Sequence, residues 1–185
     1  KASRAVGPSH KWNPKNYDRR YDGPIRMRTA LTKSKNVVSI RILDSIGPRY
    51  AQDYASKFGF LPKHHPPYLT MALGAGEVTP LELANAYAVF ANGGYRIEPH
   101  LISKITDSAG NMVEVGDFPV ANKTAEQVID ERNAFLMTSM LQDVVQKGTA
   151  RRAKALGRQD LAGKTGTTNN TIDAWFAGYS AHEVA

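Results

Sequence analysis

The apolar positions change period several times along the chain, and each change predicts an element. From Pro48 to Phe58 the aromatics Tyr50, Tyr54 and Phe58 recur at four-residue spacing. Proline suits a first helical position and Gly59 closes the turn, so this segment predicts a helix. Thr79-Pro80-Leu81-Glu82 is a capping box with proline at the first helical position. It predicts a helix over Leu81 to Ala91, stopped by Asn92-Gly93-Gly94. Asp130 is placed to cap a long helix running to Lys147. Met137, Met140, Leu141, Val144 and Val145 would form its apolar face, and Gly148 would end it. Met27 to Leu31 predicts a short helix.

Other segments alternate. Val38, Ile40 and Ile42 alternate with Ser39 and Arg41, which suits a strand, but the length of Asn36 to Ile46 and its Gly47-Pro48 stop suit a buried helix. The pattern leaves both open. A hairpin is predicted with Leu101 to Thr106 against Met112 to Val115, across Asp107-Ser108-Ala109-Gly110-Asn111. A second pairs Leu161 to Thr168 with Ala174-Trp175-Phe176-Ala177-Gly178-Tyr179, turned back at Asn169-Asn170. The first 28 residues are rich in turn formers and prolines and read as irregular. Arg151 to Arg158 reads as a basic loop. There is no internal repeat or low-complexity segment.

At 185 residues, 42% hydrophobic and 22% charged, the chain suits one globular domain. No run approaches the ~20 apolar residues of a membrane helix, and no signal peptide opens the chain. Because it starts at Lys1, we expect an excised piece, with any targeting or anchoring segment upstream. The absence of cysteine excludes thiolate catalysis, Cys-ligated zinc and disulfides without fixing the compartment. The net charge of +7 suits an anionic environment, be it nucleic acid, acidic lipid or a cell-wall polyanion.

Chemistry concentrates at Lys164-Thr165-Gly166-Thr167-Thr168 and Ser34-Lys35-Asn36. Gly163-Lys164-Thr165 has the ending of a phosphate-binding loop, but Arg158 stands where that motif needs glycine, and a hairpin rather than a helix follows. On a strand, Lys164 and Gly166 point to one face and Thr165 and Thr167 to the other. A cation and a residue without a side chain then flank an edge along which a substrate backbone can add as a strand. Ser34-Lys35-Asn36 would set a proton-relaying hydroxyl and a hydrogen-bonding carboxamide on one side of a tight loop, its middle side chain pointing elsewhere. Lys-Thr-Gly and Ser-x-Asn are two of the three elements of the serine acyl-transferases that attack penicillin-like amides. The third, Ser-x-x-Lys, is missing: no serine in the sequence has a lysine three residues on.

The wording around these motifs extends the match. Trp12-x-Pro14-Lys15-Asn16-Tyr17-Asp18, Gly23-Pro24, Ala30-Leu31-Thr32-Lys33-Ser34-Lys35-Asn36, Leu73 to Ala84, Ala91 to Tyr95, Met140-Leu141-x-x-Val144-Val145-x-x-Gly148-Thr149 and Ala162 to Asn169 with Asp173 to Tyr179 resemble the transpeptidase domain of class A penicillin-binding proteins. The resemblance runs in order over nearly the whole chain. It implies an incomplete α+β penicillin-binding-protein/β-lactamase-like transpeptidase fold: a helical subdomain bearing Ser34-Lys35-Asn36 and a sheet-edge hairpin bearing Lys164-Thr165-Gly166, with residues 1–185 forming part of the domain.

It further implies a bacterial, membrane-anchored, bifunctional synthase on the periplasmic face of the inner membrane. One domain would polymerise glycan and this one would cross-link stem peptides through an acyl-enzyme that β-lactams also form. Carried over by motif, Ser34 would shuttle protons to the leaving group and Asn36 would orient the acyl donor. Lys164 would hold Ser34 and supply positive potential for the terminal carboxylate. Thr165 and Thr167 would offer hydroxyls to that carboxylate, with Gly166 between them, and the Thr167 N–H would form half of the oxyanion hole. The nucleophile is in none of these residues; the family places it upstream of Lys1, and its sheet continues beyond Tyr179. Ala150 stands where the family has a second glycine, with a local consequence expected. No cofactor, metal or nucleic acid is implied; partners would be stem peptides, β-lactams and cell-wall synthesis proteins.

Lesser candidates read as structure. His64-His65 beside Pro66-Pro67 suits a solvated loop rather than a metal site, because no carboxylate cluster accompanies it. Gly74-x-Gly76 suits a tight turn. Glu82 suits its cap position better than the role of a hydrolytic glutamate, which Glu77 does not offer convincingly either. A class A β-lactamase relative and a non-catalytic scaffold that has lost its nucleophile stand as the alternatives.

Overall fold

The computed structural model describes residues 12–102, 104–114, 119–168 and 173–184. Its helices are α1 (Met27–Thr32), α2 (Asn36–Ile46), α3 (Pro48–Ser56), α4 (Pro80–Ala91) and α5 (Glu131–Lys147). Its strands are β1 (Tyr95–Arg96), β2 (Ile105–Thr106), β3 (Met112–Glu114), β4 (Glu126–Gln127), β5 (Ala162–Thr167) and β6 (Ala174–Tyr179). They form three antiparallel pairs, β1 with β4, β2 with β3 and β5 with β6.

The ambiguous segment is helix α2. Ile40 and Leu43, three apart, are buried, while Ile42 is exposed, so burial follows the helical period and not the alternation. Helix α4 begins as its capping box requires: the Thr79 hydroxyl accepts the Glu82 N–H at 3.2 Å and the Glu82 carboxylate accepts the Thr79 N–H at 2.7 Å. Asp130 caps α5 through the Arg132 N–H.

Three expectations need correction. The hairpin predicted over Leu101–Thr106 contracts to β2 and β3, with an irregular register between Ile105 and Thr106. Asp107 accepts the N–H groups of Ala109 and Asn111 and closes the turn locally, whereas Leu101 and Ile102 are exposed. Ser103, Val115 and the Asn169-Asn170 turn lie outside the described residues. The expected basic loop is a 3-10 helix over Arg151–Leu156. The expected solvated loop at His64-His65 is more ordered than that: His64 ends a 3-10 helix over Pro62–His64, and His65 is half-buried, edge-on to Phe60 at 5.2 Å, with Gly76 leaving no room for a side chain against its ring.

The core is organised by α5. Leu141 packs with Ala162 of β5, Tyr179 of β6, Leu31 of α1 and Tyr87 of α4. Val144 and Val145 pack with Ala150 and Leu161, and Ala134 joins Val89, Val128 and Ile129. Met137 and Met140 of the expected apolar face are only half-buried. Arg28 ties α1 to α5 through the Ser139 carbonyl at 2.9 Å and the Asp143 carboxylate at 3.2 Å. Ala150 has φ −96°, so no glycine is needed there, and its methyl group is buried in the core.

Candidate active site

Helix α5 brings the two motifs together because β5 and α1 both rest on it. The approach is close at its C-terminal end. The Thr149 N–H donates to the Thr32 carbonyl at 3.3 Å, and a Cβ at Gly148 would lie 2.4 Å from that oxygen. Only glycine lets the end of α5 sit against the end of α1, which leads directly into Ser34.

Lys164 Nζ donates to Ser34 Oγ at 2.8 Å and to the Thr165 carbonyl at 2.8 Å, joining residues 130 apart in sequence. Among the described residues it has no carboxylate partner, and burial alone holds its amine below the ordinary lysine pKa. Ser34 adopts φ +51°, a left-handed conformation uncommon for a residue with a Cβ. This geometry turns the chain between α1 and α2 and presents the hydroxyl to Lys164.

Asn36 does not join the pair: its side-chain amide donates to the Lys15 carbonyl at 3.1 Å. The Thr165 hydroxyl is hydrogen-bonded to that of Thr149 at 2.6 Å. Gly166 and Thr167 are exposed at the end of β5. A Cβ at Gly166 would meet only the Trp175 Cβ, at 3.9 Å, so the protein's own packing does not require glycine there. Strand β5 pairs with β6 along one edge, and among the described residues no other strand pairs with it. The opposite edge, unpaired among the described residues, is the feature a strand-like ligand needs.

Sequence reasoning missed the residues behind the motifs. Lys35, the middle residue of the triplet, is buried with Nζ 2.7 Å from Asp18 and 2.9 Å from Asp22. The Asp18 hydrogen bond, followed by that of Asp22, raises the Lys35 pKa; the same bond, followed by the Arg20 N–H, lowers that of Asp18. Asn16 is buried too, accepting the Val37 N–H at 3.1 Å and donating to the Arg20 carbonyl at 2.7 Å. Two aspartates in a turn-rich segment were the available signal, but nothing local ties Asp18 to a lysine 17 residues on, or Asp22 to the same lysine. Thr149 belongs to the Gly148-Thr149 phrase of the resemblance, but nothing in it points to a contact with Thr165.

Among the described residues, no group of histidine and carboxylate side chains is arranged to hold a metal ion, and no helix is long and apolar enough to cross a membrane. The Glu82 carboxylate is engaged in the α4 cap. Of the cations after α5, Arg158 is paired with Asp160, while Arg151, Arg152 and Lys154 are exposed.

Comparison with known proteins gives a consistent result. The family profile described as the penicillin binding protein transpeptidase domain matches residues 2–183. The chain is 57% identical over 173 residues to penicillin-binding protein 1A of Neisseria flavescens, covering 94% of this chain and 22% of that protein. Penicillin-binding protein 1A of Pseudomonas aeruginosa is 40% identical, over 94% of this chain and 26% of its own length. The crystal structure of penicillin-binding protein 1A from Haemophilus influenzae superposes with a TM-score of 0.86 at 36% identity, covering 95% of this chain and 31% of that one. The D,D-transpeptidase domain of an Eggerthella lenta peptidoglycan glycosyltransferase, at 23% identity and a TM-score of 0.74, shares the fold. The chain thus spans about a quarter or less of the length of these curated relatives.

Proposed function

Since this chain belongs to the penicillin-binding protein transpeptidase family, in its class A branch, we propose that it is part of the domain with which a bacterial cell-wall synthase cross-links peptidoglycan stem peptides. The single observation that carries the reading is the hydrogen bond from Lys164 to Ser34, because it joins the two motifs across 130 residues through an ammonium with no carboxylate partner among the described residues.

The chemistry is acyl transfer. A serine nucleophile contributed by the parent protein attacks the penultimate carbonyl of a D-Ala-D-Ala stem, D-alanine leaves, and an amine of a second stem takes the acyl group. Ser34 Oγ passes a proton to the departing amine, oriented by Lys164. The Lys164 ammonium supplies positive potential to the terminal carboxylate in a partly water-excluded site, where the effect of a charge is larger than in water. The donor peptide lies along the edge of β5 opposite β6, at Gly166, with Thr165 and Thr167 flanking its carboxylate. A β-lactam presents the same carboxylate and amide to the same edge. Asn36 spends one amide N–H on the Lys15 carbonyl and orients the donor amide from the head of α2 with its remaining amide groups. The parent protein is anchored in the inner membrane with this domain on the periplasmic face, where other cell-wall synthesis proteins are its neighbours.

The test is intact-mass measurement of the full-length protein with and without a β-lactam. One covalent adduct per chain, on a serine outside residues 1–185, supports the reading. A protein that takes no adduct is a scaffold instead.

A further inference from the structure

Ser34 is held in a backbone conformation that costs energy, and its hydroxyl must stay within hydrogen-bonding reach of Lys164. Something has to hold the turn from behind. The Ser34 and Lys35 N–H groups close the turn on the Leu31 and Ala30 carbonyls, but beyond Lys35, among the described residues, a cavity of about 580 Å³ opens, lined by Asn16, Asp22, Lys35, Val38 and Ile42 among others. What crosses the gap is a strap, residues 15–22, with neither helix nor strand. Its contacts converge on the three residues that follow Ser34. Lys35 Nζ is clasped by Asp18 and Asp22, the Asn36 amide donates to the Lys15 carbonyl, and the Val37 N–H donates to Asn16.

We infer that Lys35, clasped by Asp18 and Asp22, is a positioning residue: it locks the strap onto the Ser34 turn and so fixes the Ser34 hydroxyl against Lys164. It touches no substrate. Lys35 is 4% exposed, and both carboxylates come from the strap, so removing the ammonium leaves two like charges facing each other, with only the Asn36–Lys15 and Val37–Asn16 hydrogen bonds to hold the strap against their repulsion. The turn can then relax from φ +51°, and a displacement of about 1 Å at a catalytic group is enough to cost about 10²-fold in rate. The inference rests on the transpeptidase reading of Ser34 and Lys164.

The experiment measures acylation of the full-length protein by a fluorescent penicillin, separating the acylation rate constant from the affinity of the complex that precedes it. Variants are Lys35→Met, Lys35→Arg and Asp22→Ala, with Arg28→Met as a control that loosens the α1–α5 contact away from the strap. Lys35→Met is expected to slow acylation by about tenfold to a hundredfold with affinity changed about twofold or less. Lys35→Arg, which keeps the charge between the carboxylates, is expected to recover most of the rate. Asp22→Ala, which leaves Lys35 one carboxylate, is the milder variant that decides the matter if Lys35→Met does not fold; it too should slow acylation at preserved affinity. Parental acylation in both Lys35→Met and Asp22→Ala overturns the inference. So does an equal loss in Arg28→Met at matched melting temperature, since general destabilisation would then suffice. A parental protein that takes no penicillin at all overturns the transpeptidase reading instead, so the two failures are distinguishable.

Discussion

Two lysines flank the Ser34 turn, and their surroundings are opposites. On the cleft side Lys164 is partly buried, faces a hydroxyl and a carbonyl, and has no carboxylate partner among the described residues. Behind the turn Lys35 is buried between two aspartates. Burial therefore depresses the pKa of the first, and ion-pair hydrogen bonds raise that of the second. A charge placed where the fold gains little from it is the mark of a functional site; a charge neutralised by its own neighbours is the mark of a structural one. Sequence spacing does not distinguish them, because both sit in motifs of similar length.

The largest expected effect lies on the cleft side. Lys164→Met should slow β-lactam acylation by about 10²–10³-fold, the range for losing a preorganised electrostatic donor. It should not lower the melting temperature, since folding no longer has to bury an amine. Lys164→Arg should restore little, because a planar fork cannot replace a point charge between Ser34 Oγ and the Thr165 carbonyl. Lys35→Met should do the reverse in stability, lowering the melting temperature more than Lys164→Met does. Thermal melts of the two variants side by side measure this, and a larger drop for Lys164→Met would erase the contrast.

pH sharpens the comparison. The Lys164 pKa is depressed, so acylation that needs its ammonium should fall as pH rises through a value below the ordinary lysine range. Between that value and the ordinary one the unfolded chain binds the extra proton, so the Lys164 contribution to stability rises with pH. The Lys35 pKa is raised, so its stabilisation is fully present below the ordinary lysine value and lost only as pH rises through a higher one. Asp18 is depressed, so its share is present above the ordinary carboxylate value and lost as pH falls through its folded value. A pH–rate profile with an alkaline limb at or above the ordinary lysine pKa would contradict the assignment to Lys164.

Smaller effects concern the strand edge. Gly166→Ala makes only an ordinary van der Waals contact with the Trp175 Cβ and should melt with the parent, yet slow acylation by about tenfold by crowding a ligand backbone at the edge of β5. Thr149→Val removes one hydroxyl bond to Thr165 and should cost about 1 kcal/mol in denaturant unfolding, with little change in acylation.

Much of this architecture was legible from local signals. The Thr79–Glu82 box and the Asp130 cap start α4 and α5 where the residues say they should, because caps act within one turn. The Lys164 strand and its pairing with Ala174–Tyr179 were equally plain, since α5 gives that hairpin a face to bury. The Leu101–Val115 hairpin carries comparable strand residues but has no such support, and it contracts to a few pairs. Helix α2 was undecided because its outer face carries Val38 and Ile42 over the cavity, which disguises the helical period as alternation. The clasp of Lys35 and the contact between Thr149 and Thr165 were invisible for a different reason: each joins segments that only folding brings together.

The most direct test is the rate at which full-length protein and its Lys164→Met variant are acylated by a fluorescent penicillin at neutral pH. If Lys164 and Ser34 form the acyl-transfer machinery, the parent is labelled once per chain and the variant is slowed by about 10²–10³-fold while melting no lower than the parent. A folded Lys164→Met variant acylated at the parental rate would contradict the account.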